Sequence, residues 1–265
     1  MKVVIITSVD RGLASRCLPE LLASPTLQVA GVIRVAGAHP DTMRRWRQKL
    51  RKIARIGVGG AINGYRMRAW FNDEQAGSLA QVCAEHQVEL AETPYLNSPD
   101  TVALLKTFDA QLGLSLGNGF MAPSVYEVPK VDMLNVHCEL LPAYQNASSV
   151  IWPIHNGETQ TGLTVHRIAR QIDTGEILHQ ETYPIVFGET LPQTVRRTMA
   201  LTYSRVPAAV RHACEHYPQL RAQAVEQRGG HRYTTPSLSQ FRQMIRNHQQ
   251  LRSVSQSLPS GAAKP

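Results

Sequence analysis

The sequence predicts an α/β protein built on a doubly wound, mostly parallel, Rossmann-like sheet. At 265 residues the chain is long enough to bury the core of one such domain. Its first half alternates short apolar runs with amphipathic stretches, which is the pattern of β-α-β units around a parallel sheet. Two polar residues, Asn135 and His137, end a predicted central strand, and doubly wound sheets bind their ligands at that edge.

The elements of the first half are predicted from apolar periodicity and from the turn residues between them. In chain order we expect a strand at 3–7, a helix at 14–23, a strand at 28–35, a basic helical insert at about 40–70, a helix at 74–86, an extended piece ending near 95, a helix from 99 onward, and strands at 111–116 and 133–137. Ser98 is predicted to cap the helix that begins at Pro99.

The second half of the sequence predicts longer helices, and its composition changes after residue 217. We expect a helix at 148–156, a strand pair at 162–168 and 176–185, and a long helix at 190–217. Residues 1–217 then form the main domain, and 218–252 a short extension with a hairpin at 222–233 and a helix at 237–251. The small, polar residues 253–265 are predicted to be a disordered tail.

The positive charge of the chain is concentrated in the insert. The net charge is +8, and residues 42–72 carry nine basic side chains and no acidic one, so the remainder of the chain sums to −1. The spacing of Trp46, Leu50 and Ile53 predicts an amphipathic helix with one apolar stripe. Three uses stay open: binding nucleic acid, holding a diphosphate, or forming a solvated face or a homodimer contact.

Cysteine usage and hydropathy exclude some classes of protein. Four dispersed cysteines predict neither a disulfide framework nor a CxxC metal site, and Cys138 is expected to be a small buried side chain like the others. The sequence has no run of about 18 apolar residues and no leader pattern, so we expect no membrane association and a cytoplasmic location. Residues 7–12 hold a single glycine, which argues against a nicotinamide or flavin cofactor.

Asn135, His137 and Asp173 supply the groups that acyl transfer to an amine requires. An amide and a protonated imidazole can donate hydrogen bonds to a developing oxyanion. A carboxylate beside the imidazole favours its protonated form and can accept a proton from the amine. Because residues two apart on a strand face the same side, Asn135 and His137 can point at one carbonyl. Alone, Asn-x-His is more often a satisfied pair at a strand end, so the assignment depends on the surrounding motifs.

Four motifs supply that context. They read NVHCELLP at 135–142, IHNGET at 154–159, TGLTVH at 161–166 and DTGEIL at 173–178. In this order and spacing they resemble the catalytic core of the folate-dependent formyltransferases. Members of that family formylate glycinamide ribonucleotide, initiator methionyl-tRNA and nucleotide-linked amino sugars. The resemblance implies an N-formyltransferase that uses 10-formyltetrahydrofolate as co-substrate, with Asn135, His137 and Asp173 as its catalytic residues.

The resemblance is specific over residues 117–178 and has two departures. Cys138 and Glu139 stand where many members have Pro-Ser, and Asn146 stands where many have glycine. Residues 117–121 resemble the family's folate-pocket segment, in which glycines let the main chain approach a flat pterin. The folate walls implied by the resemblance are Phe120, Met121, Ala122, Pro123, Leu140, Leu141 and Ile168. Taken singly, Phe120 or Met121 could equally be a core residue.

The acceptor amine is predicted from the insert and the extension. Arg44, Arg45 and Arg47 are expected to bind the diphosphate of a nucleotide-linked amino sugar. The tRNA-formylating relatives also carry a basic loop near this position, but they end in a β-barrel domain for which the residues after Pro218 are too few. Methionyl-tRNA is therefore the second choice and glycinamide ribonucleotide the third. The alternative to an enzyme is a protein that binds RNA or a partner through the insert.

No metal site and no hydrolase site are predicted. His155, His166 and His179 lack the spacing or the matched carboxylate of a metal site, and the chemistry of the family uses no metal. We interpret His166 as a structural strand residue. Ser148 and Ser149 lie near the expected site without a Gly-x-Ser-x-Gly turn, which gives a hydrolase triad little support.

Overall fold

The computed structural model describes residues 1–37 and 40–257, apart from the side chains of Arg44, Gln256 and Ser257. Its centre is a seven-stranded sheet in the order β3-β2-β1-β4-β5-β6-β7. The strands are β1 (Lys2–Thr7), β2 (Gln28–Val35), β3 (Leu90–Thr93), β4 (Leu112–Ser115), β5 (Asp132–His137), β6 (Gln160–Arg167) and β7 (Ile177–Pro184). The first five are parallel and the last two antiparallel. The predicted doubly wound, mostly parallel sheet is confirmed.

Helices pack on both faces of this sheet. They are α1 (Leu13–Leu22), α2 (Thr42–Met67), α3 (Leu79–Glu85), α4 (Pro99–Phe108), α5 (Pro123–Tyr126), α6 (Ile151–His155), α7 (Leu191–Glu215), α8 (Tyr217–Ala222) and α9 (Leu238–Ser257), with a 3₁₀ turn at Arg68–Phe71. The predicted cap of α4 is confirmed, because Ser98 Oγ accepts a hydrogen bond from the Thr101 N–H at 3.1 Å. Within the described residues, no helix is both long enough and apolar enough to cross a bilayer.

The core follows from the alternation of side chains along β1. Val3 and Ile5 belong to a cluster packed beneath α1, α3 and α7, whereas Val4 and Ile6 belong to a second cluster beneath α4 and α5. Both faces of the central strand are therefore buried, as is usual for parallel sheets. A third cluster joins α6, the start of α7 and α9, with Trp152 as its largest member. This cluster attaches the end of the chain to the main domain.

The chain changes its winding direction between β1 and β4. From β1 it passes outward to β2 and β3, then returns to β4 on the other side of β1 and continues to β5. A crevice opens at such a point beyond the carboxyl ends of the strands. The residues after β1, β4 and β5 therefore meet at one edge of the sheet.

Two predicted helices near this edge are shorter than expected. The helix predicted at 74–86 begins only at Leu79. The one predicted at 148–156 is reduced to α6, because Val150 has a left-handed backbone (φ 68°) that no helix can include. Ser148 and Ser149 consequently stay in the loop at the edge of the crevice.

The hairpin predicted at 222–233 is wrong. Val225 forms an antiparallel bridge with Ile177, and Arg232 forms a parallel bridge with Gln145. The backbone groups of this segment therefore bond to the main domain and not to each other. The predicted tail is also wrong over 253–257, because α9 continues to Ser257. The rest of that tail, 258–265, lies outside the described residues, and the domain division after residue 217 stays a prediction.

Candidate active site

Three elements bring the predicted catalytic side chains together. Asn135 and His137 lie at the end of β5, on the same side of the strand. The antiparallel register of β5 and β6 sets Asn135 directly beside His166. The loop that follows β6 carries Asp173 back over both histidines, so four polar side chains meet at the crevice.

The distances among these side chains define one connected group. His137 Nδ1 lies 3.5 Å from Asp173 Oδ2, and His166 Nε2 lies 3.5 Å from Asp173 Oδ1. Asn135 Nδ2 lies 3.1 Å from His166 Nε2. An amide nitrogen carries two hydrogens, so this contact leaves one N–H of Asn135 for a ligand. The structure thus brings the three predicted residues together and adds His166.

The tautomer of His137 is fixed by the backbone. His137 Nε2 lies 2.7 Å from the carbonyl oxygen of Tyr144, and because a carbonyl only accepts, Nε2 must carry hydrogen. Burial lowers the pKa of His137 and outweighs the negative charge of Asp173 and the Tyr144 hydrogen bond, which raise it. At neutral pH the imidazole is therefore neutral, with the lone pair of Nδ1 free to take a proton beside Asp173. The sequence had instead predicted an imidazolium.

Asp173 is held as a carboxylate. Burial raises the pKa of Asp173, but its contacts with His166 and His137 and the Asn146 N–H together lower it below its ordinary value. The Asn146 N–H donates to Asp173 Oδ2 at 2.9 Å. The site therefore pairs an ionised carboxylate with a neutral imidazole, and it can accept one proton at His137 Nδ1.

Local backbone conformation explains two features of the motifs. Asp173 is left-handed (φ 56°), and a Cβ at Gly175 would overlap the carbonyl oxygen of Arg167, so only glycine fits there. Asn146 is also left-handed (φ 52°). Asparagine tolerates this conformation better than other residues with a side chain. The departure from the common glycine therefore preserves the backbone that presents the Asn146 N–H to Asp173.

A cavity of about 450 Å³, here called the first cavity, opens in front of these side chains. Of the predicted folate residues, Phe120, Met121 and Ile168 line it. The side chain of Phe120 is half exposed, whereas Met121 is buried. Glycines at 117 and 119 and the loop 169–173 complete the wall. Apolar walls with exposed backbone at the loops suit a flat heterocycle.

Four of the predicted folate residues do not line the first cavity. Pro123 begins α5, and the N–H of Ala122 donates to Asn97 Oδ1 at 2.7 Å. Leu140 packs over Gly162, and Leu141 is buried with its N–H donating to Thr164 Oγ1. These two leucines face the core because the backbone turns away from the crevice after Glu139. Their role as folate walls therefore stays a prediction that the first cavity does not support.

Two residues of the site, His166 and Glu139, were not predicted from the sequence to have a role there. His166, interpreted as structural, is buried and contacts Asn135 and Asp173. Its Nδ1 donates to the backbone carbonyl of Arg167 at 2.8 Å, which fixes its ring. An antiparallel pairing of residues 135 and 166 would have revealed it. Glu139, beside His137 in the chain, is fully buried and has no basic partner among the described residues.

Glu139 holds the loop that leads into α6. Glu139 Oε1 accepts hydrogen bonds from the Val150 N–H at 2.6 Å and from Thr161 Oγ1 at 2.8 Å. Burial raises the pKa of Glu139 to about 8, although these hydrogen bonds lower it. The first of them holds Val150 in its left-handed conformation and so fixes Ser148 and Ser149, which line the first cavity.

Two further cavities adjoin the first. A second cavity of about 790 Å³ lies between the start of α1, the 3₁₀ turn and α7, and it shares Cys138, Ser148 and Ser149 with the first. Its cations are Arg11 and Arg68. A third cavity of about 360 Å³ lies beneath α2 and is lined by Lys49, Lys52 and Arg68 among others. It shares Ser148 with the first two.

The predicted acceptor arginines lie away from these cavities. Arg45 and Arg47 are exposed on α2 and line none of the three. The side chain of Arg44 lies outside the described part of the chain. Their role in acceptor binding therefore stays a prediction. Among the residues that the structure describes, no group of histidine, cysteine, aspartate and glutamate side chains could hold a metal ion.

We expect Cys138 to be chemically inert although it borders the site. Burial raises the pKa of the Cys138 thiol to about 12, so almost no thiolate is present at pH 8. Treating the folded protein with iodoacetamide at pH 8 should leave Cys138 unmodified by mass spectrometry, and modification should follow unfolding in urea. Rapid alkylation of Cys138 in the folded protein would contradict this reading.

Comparison with known proteins agrees with the geometry. A model of the family described as "Formyl transferase" matches residues 71–210, just over half of the chain. A methionyl-tRNA formyltransferase from Porphyromonas gingivalis is 34% identical over 149 residues, which is 52% of this chain and 46% of that protein. One from Azobacteroides pseudotrichonymphae is 32% identical over 111 residues, 42% of this chain and 34% of its own length. The matched regions therefore cover less than half of the length of these two curated relatives.

Solved structures share the fold at lower identity. An N-formyltransferase from Helicobacter canadensis, crystallised with folinic acid and dTDP-3-aminofucose, superposes with a TM-score of 0.58 at 17% identity, covering 94% of this chain and 80% of that one. A phosphoribosylglycinamide formyltransferase from Bacillus halodurans gives a TM-score of 0.54 at 16% identity, covering 82% and 97%. At these identities the likeness concerns the fold.

Proposed function

The chain belongs to the formyl transferase family, and we propose that it transfers a formyl group from 10-formyltetrahydrofolate to a primary amine. The observation that carries this proposal is the neutral His137, whose Nδ1 faces the Asp173 carboxylate at 3.5 Å beside the free N–H of Asn135. This group combines a proton acceptor, a negative charge to stabilise the resulting imidazolium and an oxyanion donor. It lies at the wall of a cavity with apolar sides.

The residues act in sequence on the reacting atoms. Asn135 donates its free N–H to the formyl oxygen as negative charge develops there. His137 takes the proton of the attacking amine at Nδ1, and Asp173 stabilises the imidazolium that forms. His137 then returns this proton to the departing nitrogen, so one C–N bond forms, one breaks and the enzyme ends unchanged. His166 Nε2 accepts the other N–H of Asn135 and so orients the amide.

The first cavity is the side that we assign to the folate. Phe120, Met121 and Ile168 give apolar walls, and the glycines at 117 and 119 expose backbone groups to a polar ring edge. The co-substrate would supply the formyl carbon at the carboxyl end of β5. The Helicobacter canadensis relative was crystallised with folinic acid, a formylated folate, which supports this choice of donor.

The second cavity is the side that we assign to the acceptor, for which we favour a nucleotide-linked amino sugar. Its volume of about 790 Å³ suits a small molecule. Arg11 and Arg68 line it and can bind phosphate oxygens. The Helicobacter canadensis structure contains dTDP-3-aminofucose. Methionyl-tRNA is the second candidate, because the curated relatives that this chain matches include methionyl-tRNA formyltransferases.

Incubating the protein with 10-formyltetrahydrofolate and candidate amines should release tetrahydrofolate and produce a formylated amine detectable by mass spectrometry. The amines to compare are nucleotide-linked amino sugars, glycinamide ribonucleotide and charged initiator tRNA. A prior thermal-shift screen would rank them, since a ligand at 100 times its dissociation constant stabilises the folded state by about 2.7 kcal/mol. The His137→Ala variant, purified in the same way, controls for contaminating activity.

The outcomes separate mechanism from acceptor. Formylation of initiator tRNA without formylation of any amino sugar would replace the acceptor and leave the proposed chemistry intact. Equal turnover by wild type and His137→Ala would remove the catalytic assignment. Release of tetrahydrofolate without any amine would identify a hydrolase in place of a transferase.

A further inference from the structure

The first arm of α2, residues 42–56, projects into solvent. We call it the basic arm. All its described side chains through Arg55 are exposed, and the first buried one is Ile56. Isolated helices of about this length are marginal in water, so a helical arm of this kind is stabilised by contact along one face. Among the described residues, that face borders the main body only near Ile53, which lines the third cavity with Lys49 and Lys52.

Four apolar side chains form a stripe along the basic arm. Met43, Trp46, Leu50 and Ile53 follow one another at spacings of three, four and three, which places them on one side of a helix. Their exposed fractions are 62%, 62%, 47% and 39%. Single exposed apolar residues are common on soluble proteins, but a continuous stripe that includes tryptophan marks an interaction surface.

The charges of the basic arm surround this stripe. Residues 42–56 carry seven basic side chains and no acidic one, while the chain outside residues 42–72 sums to −1. At 100° per residue, Arg47 and Arg51 flank one side of the stripe, and Arg45 and Lys49 flank the other. The arm is therefore apolar along its middle and cationic on both borders, and it carries seven positive charges in a chain whose net charge is +8.

The basic arm is attached to the rest of the protein at its base. Gly57 (φ 73°, ψ 166°) breaks α2 at the base of the arm. Beyond this break the second half of the helix packs closely on the extension, where a Cβ at Gly60 would lie 3.1 Å from the carbonyl oxygen of Pro236. At the base, Arg55 donates to Thr234 Oγ1 at 2.8 Å. Arg55 thus anchors the base of the arm to the extension.

We propose that the basic arm binds the surface of an anionic lipid bilayer. A bilayer interface accepts both features at once, because the apolar stripe enters the boundary between headgroups and acyl chains while the flanking cations meet anionic headgroups. RNA would use the cations and leave Met43, Leu50 and Ile53 in water. Self-pairing along the stripe would bring together two strongly cationic borders, which repel each other. This proposal revises the prediction of no membrane association. The protein would lie on the membrane surface and would not span the bilayer.

The test uses the full chain and large unilamellar vesicles of phosphatidylcholine, with and without phosphatidylglycerol. Wild type should co-sediment with the mixed vesicles and only weakly with the neutral ones, and salt should weaken the binding. Trp46→Gln/Leu50→Gln removes the stripe without changing charge and should lower the partition coefficient about tenfold or more. Arg47→Gln/Arg51→Gln should lower it by a similar factor, since each basic residue contributes on the order of 1 kcal/mol.

Matched controls change the same chemistry elsewhere. Val131→Gln removes an exposed apolar side chain far along the chain, and Arg196→Gln/Arg242→Gln removes two exposed charges. Both should bind vesicles like wild type. The fluorescence of Trp46 should shift to the blue on vesicle addition, and Trp46→Phe should keep the binding and lose the shift.

Three results would overturn the proposal. Unchanged binding by Trp46→Gln/Leu50→Gln would mean that charge alone attracts the arm and that no stripe is inserted. Salt-sensitive binding to RNA without binding to vesicles would assign the arm to nucleic acid. Self-association that depends on Trp46 and Leu50, again without vesicle binding, would make it a subunit contact.

Discussion

Replacing Asp173 with asparagine should lower the rate of formyl transfer by at least about a hundredfold. Asparagine keeps the shape of the side chain and loses its charge, so the imidazolium of His137 that forms when the amine proton is taken loses its stabilising partner. The effect should be on kcat and on kcat/KM alike, since this interaction is made only as the reaction proceeds. Steady-state kinetics at saturating folate would measure it.

The pH dependence of kcat/KM gives a second, independent test of the same substitution. In the proposed mechanism His137 must be neutral to accept a proton, so activity falls as pH drops through the pKa of His137. The Asp173 charge raises that pKa. In Asp173→Asn the acidic limb of kcat/KM should therefore move to lower pH, while the plateau falls.

Asp109→Asn is the matched control for this experiment. Asp109 is an exposed carboxylate at the end of α4, paired with Lys130, and its left-handed backbone suits asparagine. This variant should keep both the rate and the pH limb of wild type. A rate within a few fold of wild type in Asp173→Asn, or an acidic limb that moves upward, would show that Asp173 does not serve His137.

The parts of the site that the sequence predicted are local in the chain. Asn135 and His137 share a face because strand residues alternate, which holds wherever the strand lies in the sheet. Asp173 was placed by a motif whose glycine, Gly175, has a local steric reason in its contact with Arg167. Such features need no knowledge of distant contacts.

The parts that the sequence missed depend on pairings between distant segments. His166 reads as an ordinary strand residue until the register of β5 and β6 sets it beside Asn135. Val225 and Arg232 looked like two sides of a hairpin, but their backbone partners are Ile177 and Gln145. Composition and local period contain no information about which distant backbone groups will pair.

Apolar residues near a site are a separate difficulty. Phe120 and Leu141 have similar hydropathy, yet one lies on the wall of a cavity and the other in the core. A residue in a cavity wall and a residue in the core both remove apolar surface from water. The pattern of apolar residues along the sequence therefore does not distinguish the two. Leu141 lies in the core because the backbone turns away from the crevice after Glu139.

Replacing Glu139 with glutamine should make the stability of the protein less dependent on pH. Burial raises the pKa of Glu139 to about 8 in the folded protein, whereas an unfolded glutamate ionises near its ordinary value of about 4.3. Between these two pH values the folded state holds a proton that the unfolded state has released. Wild-type stability should therefore fall as pH rises through this window, by about 1 kcal/mol per pH unit from this group.

Glutamine carries no such proton and keeps the Oε1 acceptor, whereas its Nε2 cannot accept the longer hydrogen bond that the Leu140 N–H donates to Glu139 Oε2 at 3.3 Å. Its Oε1 can accept from the Val150 N–H and from Thr161, as Glu139 Oε1 does. At pH 5, where Glu139 is protonated in the folded state, the two proteins should have similar free energies of unfolding. By pH 8 the variant should be the more stable by a few kcal/mol. Urea unfolding at a series of pH values measures the difference directly.

Two further variants separate the proton from the hydrogen bonds. Glu139→Ala removes the acceptor and leaves the Val150 N–H and Thr161 Oγ1 buried without a partner, so it should be less stable than Glu139→Gln by about 1–3 kcal/mol at every pH. Glu158→Gln makes the same charge change at an exposed position near α6 and controls for net charge. A constant difference between wild type and Glu139→Gln from pH 5 to pH 8 would show that Glu139 is ionised in the folded protein throughout. The loop before α6 would then be held by a buried carboxylate whose three donors, the Val150 and Leu140 N–H groups and Thr161 Oγ1, outweigh its desolvation.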